Sequence, residues 1–112
     1  MPTANIYTAN GTSKELLTGI LPELGEFLAR QLSCGQRTLL SNEISIRVIS
    51  ITGSNMIAPI EIEITAHAYQ ERIQQADKIC LSVRNFVKQK TSAREDVRVW
   101  LTLAELGHSW EE

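Results

Sequence analysis

The stretch Pro59–Ile79, PIEIEITAHAYQERIQQADKI, changes its period halfway. From Pro59 to Thr65 the residues Ile60, Ile62 and Ile64 alternate with Glu61, Glu63 and Thr65. A period of two places the isoleucines on one face of a strand and the carboxylates on the other. Beyond it, Ile73, Ala76, Ile79, Cys80, Val83, Phe86 and Val87 return every three or four residues. That spacing predicts a helix from about Gln70 to Gln89. A second alternation follows in DVRVWLTL (Asp96–Leu103), where Val97, Val99, Leu101 and Leu103 face away from Arg98, Trp100 and Thr102. The unit is strand, helix, strand.

The same unit precedes it. Thr3–Thr8 alternates weakly, and NEISIRVISI (Asn42–Ile51) alternates at Ile44, Ile46 and Val48. Between them Leu17, Leu21, Leu24, Leu28 and Leu32 form a helical stripe widened by Ile20 and Phe27. Thr12 and Glu15 have capping-box spacing at its start. Pro22 has no amide proton, so it should kink this helix or delay its start. PTANIYTA (Pro2–Ala9) and PIEIEITA (Pro59–Ala66) share a leading proline and a closing Thr-Ala. We therefore read one domain over residues 1–112, with a pseudo-repeat of 1–57 and 58–112. The class is α/β (α+β): two βαβ units, each with a parallel right-handed crossover. They build a four-stranded sheet with two helices on one face.

Composition narrows the function. The 112 residues carry a formal charge of −2, with 43% hydrophobic and 21% charged residues. Binding nucleic acid or an anionic membrane surface by counterion release needs a basic face, which this balance does not supply. The N-terminus has no basic segment followed by an apolar run, and no apolar stretch reaches membrane-spanning length. The expectation is a soluble, cytoplasmic protein. Cys34 and Cys80 lie far apart and outside any C-x-x-C pattern, which suits two buried thiols in a reducing compartment. His67 and His108 have no ligand spacing, so neither a metal nor another cofactor is expected. No glycine-rich phosphate loop or nucleophile elbow occurs.

The second sheet face would carry Asn5, Arg47, Glu61, Glu63, Arg98, Trp100 and Thr102. Such charges can pair across strands, and Arg47 is expected to meet Glu61 or Glu63. Solvation alone accounts for most of this face. Trp100 is the exception, because an indole is poorly placed in open water.

A Met-Pro start, two βαβ units and an aromatic-containing tail together resemble the tautomerase superfamily, in its macrophage migration inhibitory factor branch. PIEIEITAHAYQERIQQADKI is also similar to a functionally uncharacterised small-protein family of the same fold. The pattern covers nearly the whole chain. The resemblance implies a homotrimer whose sheets wrap a channel, with helices outside and active sites between subunits. It implies that Met1 is removed and that Pro2 becomes a secondary amine acting as general base on a small keto or unsaturated carboxylate. On the residues alone, Pro2 is a rigid strand start.

Carried over position by position, the resemblance makes Pro2 the catalytic residue. The family's lysine after the first helix falls at Gln36, in SCGQ (Ser33–Gln36), and the adjacent Arg37 is the replacement cation. The backbone donor after the third strand falls near Ala68. The neighbour's tyrosine and asparagine correspond to Trp100 and Thr102. Trp110 resembles the tail tryptophan that walls the pocket. Arg72 lies near a region where some members hold a carboxylate, although its plain reading is an exposed helix charge. Two further readings stand beside the enzyme: a non-catalytic homotrimeric binding or structural module, and a dimeric ferredoxin-like regulatory domain.

Overall fold

The structure, a computed structural model, describes residues 2–9, 14–35, 37–52, 55–91, 96–105 and 107. Strand β1 is Thr3–Thr8, followed by helices α1 (Lys14–Gly19) and α2 (Leu21–Leu32). A single 3-10 turn, Ser41–Glu43, leads into β2 (Ser45–Ser50). Then come β3 (Ile60–His67), α3 (Gln70–Gln74), α4 (Ala76–Thr91) and β4 (Val97–Ala104). The sheet order is β2-β1-β3-β4. Strands β1 and β2 are parallel, β3 and β4 are parallel, and β1 and β3 meet antiparallel at the centre. The helices lie on one face.

Register follows from the alternation. Ile46, Ala4, Ile64 and Leu101 lie side by side across the four strands, as do Val48, Ile6, Ile62 and Val99. These rows face Leu17, Leu24, Leu28 and Leu32 of the first helical layer and Ile79, Val83 and Val87 of α4. Burying one such side chain contributes about 1.5–3 kcal/mol, so the layers are held mainly by this apolar seam. Phe27 of α2 stacks on Phe86 of α4 with ring centroids 4.2 Å apart.

Both helical patterns are broken. The first divides at Ile20, where the chain leaves helical geometry (φ −97°, ψ 1°). Pro22 cannot donate to the turn before it, and the new helix opens with that proline in its first turn, where a missing N–H costs nothing. The second divides at Gln75, whose amide is shared between the carbonyls of Glu71 and Arg72, each at 3.2 Å. Ile73, expected on the buried stripe, is 48% exposed, while its neighbour Arg72 is 3% exposed. Thr12, the proposed cap, lies outside the described residues.

The polar face is ordered differently from the expected pairing. Strand β1 lies between β2 and β3, so Asn5 separates Arg47 from Glu63. Arg47 Nη1 therefore donates to Asn5 Oδ1 at 3.3 Å. Arg98 faces Glu61 in register, but its Nε donates to Asp96 at 2.7 Å. No described helix is long and apolar enough to cross a membrane.

Candidate functional site

Pro2 is buried immediately ahead of β1, and its carbonyl accepts the Ser45 amide at 3.2 Å. Because Thr3 pairs with both Ser45 and Thr65, this end of the sheet gathers the start of β1, the start of β2 and the end of β3. The end of α2 joins them through Arg72. Its Nε donates to Leu32 O at 2.8 Å and its Nη1 to His67 O at 3.1 Å. One guanidinium thus satisfies a carbonyl at a helix end and another at a strand end. Its carbon lies 4.9 Å from the centre of the Tyr69 ring, which in turn meets His67 edge-on.

Arg72 is not the exposed helix charge of its plain reading. Its Nη2 is buried and has no hydrogen-bond partner among the described residues. Burial holds the guanidinium below its ordinary pKa, with Cys34 and Tyr69 pulling the other way and the charge of Arg37 adding to the fall.

The loop after α2 is built from short polar contacts. Ser33 Oγ donates to Ala29 O at 2.6 Å and accepts the Leu39 amide at 2.9 Å. Cys34 and Arg37 exchange two backbone hydrogen bonds, of 2.8 and 3.0 Å, around a tight turn. Glu71 Oε1 accepts the Gly35 amide at 3.0 Å, which ties this turn to α3. A β-carbon at Gly35 would lie 2.9 Å from that oxygen, so a larger residue there would push the Glu71 carboxylate aside. Arg37 forms an ion pair with Glu43, whose other oxygen accepts the Leu40 amide at 2.9 Å. Gln36 lies outside the described residues.

The remaining candidates are placed elsewhere. The Ala68 amide donates to Ala104 O at 3.0 Å and so extends the β3–β4 ladder. Trp100 and Thr102 stand opposite Glu63 and Thr65 on the face away from the helices. Trp100 is 41% exposed there. Through Thr65, Thr102 falls in register with Thr3, the residue after Pro2, with β3 between them. Trp110 and His108 lie outside the described residues. Among the described residues no group of three His, Cys, Asp or Glu side chains is arranged to hold a metal ion. Glu43 and Glu71 were missed from sequence. Their signal was faint: Glu43 lies three residues past the amide it accepts, whereas the partner of Glu71 is 36 positions distant.

No family model matches the chain, and no curated protein matches it by sequence. Solved structures do. The fold is that of the tautomerase superfamily, of the macrophage migration inhibitory factor-like kind. The chain is similar to a wild-type fused 4-OT described as an asymmetric trimer, with TM-score 0.70 and 13% identity over 96% of this chain and 92% of that one. It is similar to the macrophage migration inhibitory factor-like protein of Entamoeba histolytica, with TM-score 0.65 and 16% identity over 99% and 94% of the two chains. It is also similar to malonate semialdehyde decarboxylase, with TM-score 0.65 and 10% identity over 96% and 92%. At such identities the shared property is the fold.

Proposed function

We propose that the protein is a tautomerase-like homotrimer in which Pro2, freed by removal of Met1, is the general base for a small keto or unsaturated carboxylate. The observation that carries this reading is the burial of Pro2 at the same sheet end as the Arg72 clamp, in a fold shared with 4-OT. Burial and nearby guanidinium charge both disfavour a protonated amine, which lets it accept a proton near neutral pH. The amine takes the proton next to the substrate carbonyl. Charge then develops on the carbonyl oxygen, and a cation must meet it. Arg37 serves as that cation, sharing its guanidinium between Glu43 and the substrate. Arg72 acts as a positioning residue, because its two carbonyl contacts fix the loop and strand end around Pro2. The amine returns the proton at a different carbon, completing the isomerisation. Trp100, Thr102 and Trp110 come to the pocket from a neighbouring subunit.

The trimer has physical support in this chain. Inner residues of both edge strands, Ile46 and Val48 on one side and Val99, Leu101 and Leu103 on the other, are only partly buried. Open edges of this kind invite pairing, and closed symmetry removes the liability.

A second reading, a non-catalytic binding module on the same trimer, is favoured by two contacts. Ala68 N–H is spent on Ala104, and Arg37 is paired with Glu43. Intact mass followed by turnover separates the two. Protein shown to lack Met1 should isomerise members of a panel of enolisable 2-keto acids and be labelled at Pro2 by a halopyruvate. Protein retaining Met1, with an amide in place of the amine, should do neither while folding normally. Undiminished turnover with Met1 retained excludes Pro2 as the base. Silence from cleanly processed trimer favours the binding module.

A further inference from the structure

Cys34 and Arg72 share a cleft of about 50 Å³, lined also by Gln31, Ser33, Glu71 and Gln75. It opens between the end of α2 and α3, and Pro2 does not line it. The guanidinium on its wall is 3% exposed and has a buried Nη2 with no acceptor among the described residues. A buried N–H left without an acceptor costs free energy, so the site suits an oxygen that is absent from the unmodified chain. Glu71 lines the same cleft, but its Oε1 accepts the Gly35 amide and neither of its oxygens bonds Nη2. Cys34 is half-buried and forms no disulfide. Of the groups around Arg72, it is the one that most favours the charged guanidinium.

We propose that Cys34 is an oxidation-sensitive modification site at which hydrogen peroxide forms a sulfenic acid whose oxygen accepts a hydrogen bond from Arg72 Nη2. This does not depend on the reading of Pro2. The Cys34 thiol releases its proton to water, and its sulfur attacks one oxygen of the peroxide. A sulfur–oxygen bond forms, the oxygen–oxygen bond breaks, and the departing hydroxide takes up a proton. Sulfur loses two electrons and the peroxide gains them, so no further reductant enters the step. A charge-assisted hydrogen bond from Nη2 then holds the new oxygen. Space allows this: one water needs roughly 10–15 Å³, so the cleft admits a reactant little larger than water. A bulky thiol peptide does not fit.

Cys80 is the internal control. It is also half-buried and forms no disulfide, but burial and then the Asp77 carboxylate push its thiol pKa up. The whole chain is exposed to dilute hydrogen peroxide with dimedone present, and each thiol is followed by peptide mass mapping. In folded protein Cys34 should be trapped at least about tenfold faster than Cys80, because oxidation selects the thiol in the more electropositive site. The preference should vanish in urea that unfolds the chain. Arg72→Lys, which keeps the charge but not the planar fork, should slow Cys34 several-fold and leave Cys80 unchanged. If that variant does not fold, Cys34→Ser gives the second comparison, and total labelling must drop to the slow Cys80 rate. Equal rates at the two thiols in folded protein overturn the proposal. So do a preference that persists in urea, a folded Arg72→Lys that labels like the unaltered chain, or labelling of Cys34→Ser at the original rate.

Discussion

At the scale of single residues, the chain spends its polar groups at one end of the sheet. Arg72 gives up hydration to bond Leu32 O and His67 O, and an isolated buried charge would not repay that loss. What makes the placement workable is that Leu32 O ends a helix, where carbonyls lack intrahelical donors, while His67 O accepts both Arg72 and the Tyr69 amide at 3.0 Å. Gly25 tells the opposite story. It lies buried inside α2, yet a β-carbon there would meet Ile46 Cδ1 at 3.7 Å and Ser41 Cβ at 3.8 Å, which are ordinary contacts. Its backbone is helical and needs no glycine. Gly25→Ala should therefore stabilise the fold by about 0.5–1 kcal/mol, through lower backbone entropy in the unfolded chain. A urea midpoint that falls instead would show that Ser41 and Ile46 cannot accommodate the methyl group.

At the scale of elements, the face a residue takes matters more than the length of its helix. At about 100° per residue, Ile73 lies roughly a third of a turn away from Ile79, whereas Arg72, seven residues before Ile79, shares its face. Ile73 is accordingly 48% exposed and Ile79 3% exposed. The two truncations should then differ sharply. Ile79→Ala opens a cavity and should cost about 2–5 kcal/mol, as buried aliphatic truncations do. Ile73→Ala should stay within about 0.5 kcal/mol, as surface changes do. Chemical denaturation of both variants checks this, and equal losses would mean that Ile73 is covered in the assembled protein.

At the scale of the whole molecule, helices cover one sheet face and, among the described residues, leave the other open. The uncovered face sets Trp100 in line with Glu63, Asn5 and Arg47, a mixed row suited to partial contact and partial hydration. Together with half-covered edge strands, it argues for an assembly that closes on itself. Light scattering at micromolar concentration should return a trimer. Trp100→Glu should shift that trimer toward monomer while far-UV circular dichroism stays unchanged, since Trp100 is 41% exposed within one chain and packs outside its core. A monomeric unaltered protein would remove the inter-subunit pocket, and with it the roles proposed for Trp100 and Thr102.

Alternation at Ile60, Ile62 and Ile64, the leucine stripe and Pro22 were enough to read four strands, helices on one face and a kink or delayed start in the first helix. Those features depend on neighbours within one turn or one strand, so local spacing carries them. The buried Arg72 and its vacant Nη2, the Arg37–Glu43 pair and the Glu71–Gly35 bond were not legible in the same way. Arg72 looked like one more charge on a helix surface because its partners, Leu32 and His67, belong to other elements. Likewise Arg47 was matched to glutamates that the strand order keeps from it, since β1 runs between them. In the strands, sequence spacing determined which way side chains face. Only the tertiary structure decided what they meet, because a hydrogen-bond partner is set by where separate chain segments end together in space.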